Sequence, residues 1–227
     1  MKNLLFILIL VIGPNAFGQV VPRTAKSPID FVPAGYVVFQ KIQGDLNKDN
    51  QMDAVLIIKG TDKTKFVKNT GGEIVDRNRR GIIIAFKNHG HYELMLVNRD
   101  CFSSENEDGG VYFPPELSFS IEKGNLIFHY AGGRYGYSDY VFRYQNFDFD
   151  LIGYDDSEDS GPLVENFVSI NFLTKKMLKK DNLNQDPDAD DKFKETWSKF
   201  ALSKPIKLRE IADFDNFDVM SLLGSAK

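Results

Sequence analysis

The residues with the most specific chemistry form a short acidic loop between two apolar segments. Side-chain oxygens stand at alternate positions of this loop, at Asp45, Asn47, Asp49, Gln51 and Asp53. Calcium is a hard cation that takes about six to eight oxygen ligands at about 2.3–2.6 Å. Carboxylates held close together in one bend repel one another unless a cation lies between them. The spacing therefore predicts a structural calcium site, in which Gln51 binds through its backbone carbonyl and the other residues bind through side chains.

The sixth position of such a loop needs a sharp turn, and Asn50 occupies it. Glycine is usual there, because it adopts a positive φ without a steric penalty. Asn tolerates a positive φ better than most other residues. Ala54–Ile58 follows as an apolar run of strand length, which predicts that the loop leads directly into a buried strand. The alternative is an ordinary polar turn, since Asn and Asp are frequent turn residues.

The stretch from Gly44 to Ile58 resembles the aspartate-rich calcium loop of FG-GAP (integrin α-chain type) and related VCBS-like repeats. Their pattern is Asp-x-Asp/Asn-x-Asp-Gly-x-x-Asp followed by an apolar strand, and this sequence departs from it at Asn50. The resemblance implies calcium binding by the residues named above and implies no further function. Propellers of this family repeat the loop in several blades, whereas this sequence has a single copy. We therefore do not expect a complete propeller.

A second candidate site lies in a segment rich in Gly and Tyr, where we predict ligand binding by His129, Arg134, Tyr135 and Tyr137. Small residues let a ligand approach, and Tyr and Arg are enriched at binding hot spots. Aromatic faces of this kind suit sugar rings or peptides. The alternative is a Gly-rich turn whose tyrosines cover the neighbouring core.

This segment belongs to a longer stretch with a second resemblance, carried by Gly109-Gly110, His129, Gly132-Gly133, Phe142–Gln145 and Leu151–Gly153. The stretch is similar to small exported bacterial proteins of unknown function that pair it with one acidic loop. The similarity supports the architecture and implies no activity.

Motifs for catalysis are weak in this sequence. His89 and His91 could chelate a metal, but no third ligand follows at an assignable spacing. A Gly-x-Ser-x-Gly elbow is absent from the sequence. Paired carboxylates as in glycosidases could come from Asp148, Asp150, Asp155, Asp156 and Glu158. We expect the run Asp155–Asp159, however, to be a solvated loop.

The N-terminus predicts export from the cytoplasm. Lys2 precedes an apolar run from Leu4 to Gly13, which has the length of a signal-peptide core and is too short to span a bilayer. We expect residues 1–18 to be cleaved before Gln19, with no transmembrane segment afterwards and a periplasmic or secreted location. The net charge of −4 argues against nucleic acid as the main partner. The single cysteine, Cys101, cannot form an internal disulfide, and we expect it to be buried.

The remaining sequence predicts short strands separated by turns rich in Gly, Asn and Asp, without an amphipathic helix. Predicted strands and hairpin arms are Tyr36–Ile42, Ala54–Ile58, Gly81–Phe86, Tyr92–Val97, Leu117–Ile121, Leu126–Tyr130, Tyr140–Tyr144, Phe147–Tyr154 and Asn166–Leu173. Phe193–Phe200 is compatible with a strand or a short helix. We predict a mostly β fold, an antiparallel sandwich or open barrel-like sheet with few short helices. Residues 19–29 would form a flexible lead-in, residues 30–215 a single domain, and residues 216–227 a tail.

The function that these features favour is an exported, non-enzymatic binding or structural protein with one calcium-stabilised loop and a protein or glycan partner. One alternative is a cell-wall or glycan hydrolase whose carboxylates cannot be paired from the sequence. Another is an inhibitor-like protein that blocks its partner. An aromatic cleft with two inward carboxylates about 5–10 Å apart would favour the hydrolase, whereas an exposed aromatic surface would favour binding.

Overall fold

The computed structural model describes residues 23–108, 116–184, 186 and 190–225, and the predicted signal peptide lies outside these ranges. The described residues form antiparallel β-sheets joined by turns, and their only helical elements are short 3-10 turns. The predicted mostly β, antiparallel fold is therefore confirmed. The strands are β1 (Thr24–Ala25), β2 (Tyr36–Gly44), β3 (Asp53–Gly60), β4 (Phe66–Lys68), β5 (Ile74–Asp76), β6 (Arg80–Asn88), β7 (His91–Phe102), β8 (Glu116–Glu122), β9 (Asn125–Ala131), β10 (Gly136–Gln145), β11 (Asp148–Ser160), β12 (Leu163–Asn171), β13 (Lys176–Asn182), β14 (Phe193–Ala201) and β15 (Gly224–Ser225).

A five-stranded sheet has the strand order β1-β7-β6-β3-β2 and is apolar on both faces. In β3, Val55 and Ile57 face the larger core, while Leu56 and Ile58 face a smaller cluster around Phe31. Phe31 comes from the 3-10 turn Pro28–Phe31 and is fully buried. The buried strand predicted at Ala54–Ile58 is confirmed, and its two faces pack against separate clusters.

The second sheet has eight strands in the order β15-β14-β13-β12-β11-β10-β9-β8. From β8 to β14, each strand pairs with the next one along the chain. The turn between β8 and β9 has Lys123 and Gly124 at positive φ, and the turn between β10 and β11 has Asn146 and Phe147 at positive φ. Positive φ at both central residues is the geometry that two-residue hairpins favour.

The main core lies between the two sheets and is rich in Phe. It combines Val55 and Ile84 of the smaller sheet with Phe128 and Phe142 of the larger sheet. Side chains of the larger sheet alternate between this core and an outer face that points away from it. Cys101 is 0 % exposed, as expected.

Two segments differ from a simple chain of hairpins. The polar stretch between β3 and β6 contains the separate two-stranded ladder of β4 and β5. Asp155–Asp159 lies inside β11, so the prediction of a solvated loop there is wrong. This run pairs with β10 on one side and β12 on the other. The Asp156 carboxylate also accepts two hydrogen bonds: Ser138 Oγ donates to its Oδ1 atom at 2.5 Å, and Tyr154 donates to the same oxygen at 2.9 Å.

The ends of the described chain also pair with the sheets. Thr24–Ala25 pairs with β7, although it lies in the segment expected as a lead-in. Gly224–Ser225 pairs with β14, and Val219 is 2 % exposed within the core. Phe193–Phe200 is a strand.

Candidate functional site

The acidic loop, residues 45–53, connects β2 to β3, which are hydrogen-bonded neighbours. Its tight bend depends on Lys48 and Asn50, which both have a φ of +65°. The positive φ expected at Asn50 is therefore confirmed. Leu46 is 1 % exposed and anchors the start of the loop in the core.

The Asp45 carboxylate folds back over the middle of the loop. Its Oδ1 atom accepts the backbone N–H of Asp49 at 3.1 Å, and its Oδ2 atom accepts the N–H of Asn50 at 2.9 Å. These bonds fix the bend and bring the first acidic residue back to the third.

Asp49 is surrounded by hydrogen-bond donors of the same loop. Its carboxylate accepts the Gln51 N–H at 2.8 Å, the Asn47 amide at 3.0 Å and the Gln51 amide at 3.2 Å. Desolvation acts to raise the pKa of Asp49, but these hydrogen bonds outweigh it and hold the pKa below its ordinary value. The loop therefore favours the charged form of Asp49.

Asp53 is fully buried and joins the loop to the sheet. Its Oδ2 atom accepts the N–H of Leu46 at 2.8 Å, and its Oδ1 atom accepts the N–H of Lys87 on β6 at 2.9 Å. Burial raises the pKa of Asp53, while the two backbone donors act against that rise. Asp53 thus closes the base of the loop.

The donor set of the loop is chemically suited to calcium, because it consists of carboxylate, amide and backbone oxygens. A carboxylate has about four lone-pair positions, so an N–H bond to each oxygen leaves further capacity. Within the described ranges, however, no group of three or more His, Cys, Asp or Glu side chains is placed to hold a metal ion. Backbone and amide donors compensate the loop's carboxylates here. Calcium binding by Asp45, Asn47, Asp49, Gln51 and Asp53 stays a prediction.

A polar concavity of about 430 Å³ opens beside the loop. Asn47, Asp49 and Gln51 form one wall, and the turn between β6 and β7 forms the other. The two walls are joined by the N–H of His89, which donates to Gln51 Oε1 at 3.2 Å. His91 contacts Glu93 at 3.3 Å and does not share a ligand cluster with His89.

The structure places the predicted ligand-binding residues around the connection between β9 and β10. His129 and Tyr137 share the outer face of the larger sheet, with ring centroids 5.6 Å apart. Arg134 and Tyr135 lie in the intervening 3-10 turn Gly133–Tyr135, and Tyr135 is 55 % exposed. Burial, followed by nearby carboxylates that include Asp139, raises the pKa of Tyr137.

Sequence reasoning missed the acidic partner of His129. His129 Nδ1 lies 2.6 Å from Asp139 Oδ1, and Asp139 stands directly opposite Asp155 on β11. The signal for this arrangement was the alternation of side chains along β9 and β10, which puts cross-strand neighbours on one face.

The two candidate sites lie at opposite ends of β9. The turn before β9 touches the acidic loop, since a Cβ atom at Gly124 would lie 3.3 Å from the Asp45 carbonyl oxygen. The aromatic site lies around the other end of β9, which finishes at Ala131, roughly 20 Å from that turn at about 3.4 Å per residue. The structure therefore does not bring the two sets of residues together.

Comparison of the chain with protein-family models, curated proteins and solved structures found no match. None of the helices in the described part of the chain is long and apolar enough to cross a membrane.

Proposed function

We propose that the protein is a non-enzymatic binding protein that works outside the cytoplasm and whose acidic loop is stabilised by calcium. The observation that carries the calcium proposal is the bend of the loop, in which Asn50 has a positive φ and Asp45 folds back toward Asp49. This is the local geometry that a loop with alternating oxygen ligands needs. Export is supported by the N-terminal sequence alone.

Binding of calcium would exchange some internal hydrogen bonds for metal contacts. Asp49 is exposed, so its side chain can rotate without disturbing the core. Asp53 would stay fixed by Leu46 and Lys87 and would hold the base of the loop while the exposed ligands close around the ion. The ion would supply the charge compensation that amide donors supply in its absence.

Two observations favour binding over hydrolysis. The polar concavity beside the loop is open to solvent, and it is lined by residues of the acidic loop and of the turn between β6 and β7. The cross-strand carboxylates Asp139 and Asp155 lie on the open outer face of a sheet, where water has access, and a glycosidase pair works within a substrate cleft. A protein or glycan partner that contacts the loop end of the sandwich is the simplest use of this surface.

Thermal unfolding of the purified protein in calcium and in a chelator tests the calcium proposal. Calcium at about 100 times its Kd stabilises a folded protein by about 2.7 kcal/mol. For a domain of this size, that corresponds to a rise in melting temperature of about 5–10 °C. Magnesium should have a smaller effect, because it dehydrates reluctantly and demands strict octahedral geometry.

The matched pair of variants is Asp49→Asn and Asp62→Asn. Both carboxylates are exposed and accept the backbone N–H of the residue two positions later, but Asp62 lies outside the acidic loop. Asp49→Asn should abolish the calcium-dependent rise, and Asp62→Asn should retain it. A melting temperature that is unchanged at 10 mM calcium would remove the metal from the proposal.

A further inference from the structure

The outer face of β13 and β14 presents an aromatic surface that the proposed function does not use. Trp197 is the single tryptophan of the chain and is 63 % exposed. It stands directly opposite Leu178 on β13, and both side chains point away from the core. Tryptophan is highly buried on average, and it is enriched at the hot spots of binding interfaces.

Two lysines lie side by side next to Leu178 and Trp197 on the same outer face. Lys176 on β13 stands directly opposite Lys199 on β14, and both are exposed. Like charges at directly opposite positions destabilise a sheet. Neither lysine has an ion-pair partner among the described residues, whereas Lys180, on the other side of Leu178, is paired with Glu195 at 2.9 Å.

We propose that Trp197, Leu178, Lys176 and Lys199 form a binding surface for an acidic polysaccharide, called here the Trp–Lys surface. The flat indole offers an apolar face to a sugar ring, and its N–H stays available to a hydroxyl group. The two ammonium groups meet the carboxylates of neighbouring uronic acid units through charge-assisted hydrogen bonds. An anionic ligand would also relieve the repulsion between the opposed lysines.

The charge distribution favours an acidic glycan over a nucleic acid. The chain has a net charge of −4, whereas nucleic-acid binders carry an extended basic patch. On the same outer face, Asp155 of β11 lies three strands from Trp197, which is about 14 Å at about 4.8 Å per strand. That acidic flank would repel a long polyphosphate backbone that continues across the sheet, while a short oligouronate needs to contact only Trp197 and the adjacent pair Lys176 and Lys199.

Because Trp197 is the chain's single tryptophan, its fluorescence reports on the surface directly. The full chain is titrated with oligogalacturonate and with a neutral galactose oligomer of equal length, at low salt and in a chelator. We expect a saturable change in fluorescence with the acidic oligomer alone and at least a tenfold weaker affinity at about 0.5 M salt, where the Debye length is only a few ångströms. The chelator removes calcium, so binding at the Trp–Lys surface is measured independently of the calcium proposal.

The variants compare the two faces of the same strands. Lys176→Gln/Lys199→Gln removes the lysines of the Trp–Lys surface and should weaken binding at least tenfold. Lys179→Gln/Lys194→Gln changes lysines on the opposite face and should leave the affinity within twofold. Lys176→Glu should abolish binding and also raise the melting temperature, because it places opposite charges across from each other, so the loss cannot come from unfolding.

Several results would overturn the proposal. These are equal binding of the neutral oligomer, no response to the acidic oligomer at millimolar concentration, or equal losses in both double variants. Tighter binding of single-stranded DNA or of anionic lipid vesicles than of oligogalacturonate would assign the surface to another partner and overturn it as well.

Discussion

Phe214 stacks on Phe102, with ring centroids 5.0 Å apart and ring planes inclined by 25°. Phe102 ends β7 of the smaller sheet, whereas Phe214 comes from the irregular segment after β14. Phe214 also contacts Phe128 at 5.4 Å and Tyr140 at 5.3 Å, both on the larger sheet. The C-terminal segment therefore supplies a central side chain of the core and links the two sheets.

Replacement of this ring should be among the most damaging single changes in the protein. Phe214→Ala removes the aromatic contacts with both sheets and leaves a cavity, which costs about 3–5 kcal/mol of unfolding free energy. Urea denaturation measures the loss. The control is Phe147→Ala, at a turn residue that is 87 % exposed, which should change stability by less than about 0.5 kcal/mol.

Losses of similar size in the two variants would contradict this view of the core. A small effect of Phe214→Ala would show that the two sheets hold together without the C-terminal segment.

The strands were predictable because they carry strong local signals. Ala54–Ile58 is a continuous apolar run, and the hairpins around Lys123–Asn125 and Gln145–Asn146 combine turn residues with apolar arms. Phe214 was not predictable, because it stands between Asp213 and Asp215 in a segment without periodicity. Its burial depends on contacts with strands that are distant in the sequence.

The candidate site was predictable to a similar extent. The positive φ of Asn50 follows from its position in the loop, which the sequence displays. The role of Asp53 in joining the loop to the sheet could not be predicted, because one of its two donors is the backbone N–H of Lys87 on another strand. Every residue except proline has a backbone N–H, so residue types do not indicate which of these groups will donate to a given carboxylate. The acidic run in β11 was missed because its stabilising partner Ser138 lies on the neighbouring strand β10.

Asp53 should be important for stability with or without calcium. Asp53→Ala leaves the N–H groups of Leu46 and Lys87 without their acceptor in a buried position, which costs about 2–4 kcal/mol in total. Asp53→Asn retains one acceptor and should cost less. Urea denaturation in a chelator measures both variants. Asp49→Ala serves as the comparison and should lower the unfolding free energy less than either Asp53 variant, because Asp49 is exposed. An equal loss would show that Asp53 does not join the loop to the sheet in this way.

The bend of the acidic loop should respond to residues that favour a positive φ. Lys48→Gly should stabilise the protein by up to about 1 kcal/mol, because glycine adopts a φ of +65° without a steric penalty. Asn50→Ala should destabilise it by about 1 kcal/mol for the opposite reason. Both effects are measured by thermal unfolding in a chelator. Stabilisation by Asn50→Ala would show that the loop does not keep this conformation in solution.

The ion pairs of Asp148 should make stability depend on pH. Arg209 Nε donates to Asp148 Oδ1 at 2.8 Å, and Lys207 lies 3.3 Å from Oδ2, so this carboxylate fastens the segment after β14 to β11. Desolvation acts to raise the pKa of Asp148, but the hydrogen bond from Arg209 and the other donors hold it below its ordinary value. The folded state therefore favours the ionised form, and its contribution is complete well above the unfolded pKa of about 3.9. It is lost as the pH falls through that value toward the lower pKa of the folded state.

The difference in unfolding free energy between the protein and Asp148→Asn should be constant from pH 6 to 7 and should shrink below about pH 4. Urea titrations across this range measure the difference, and the exposed Glu122→Gln at the end of β8 is the control. A difference that stays constant down to pH 3 would show that the ionised carboxylate does not hold this segment.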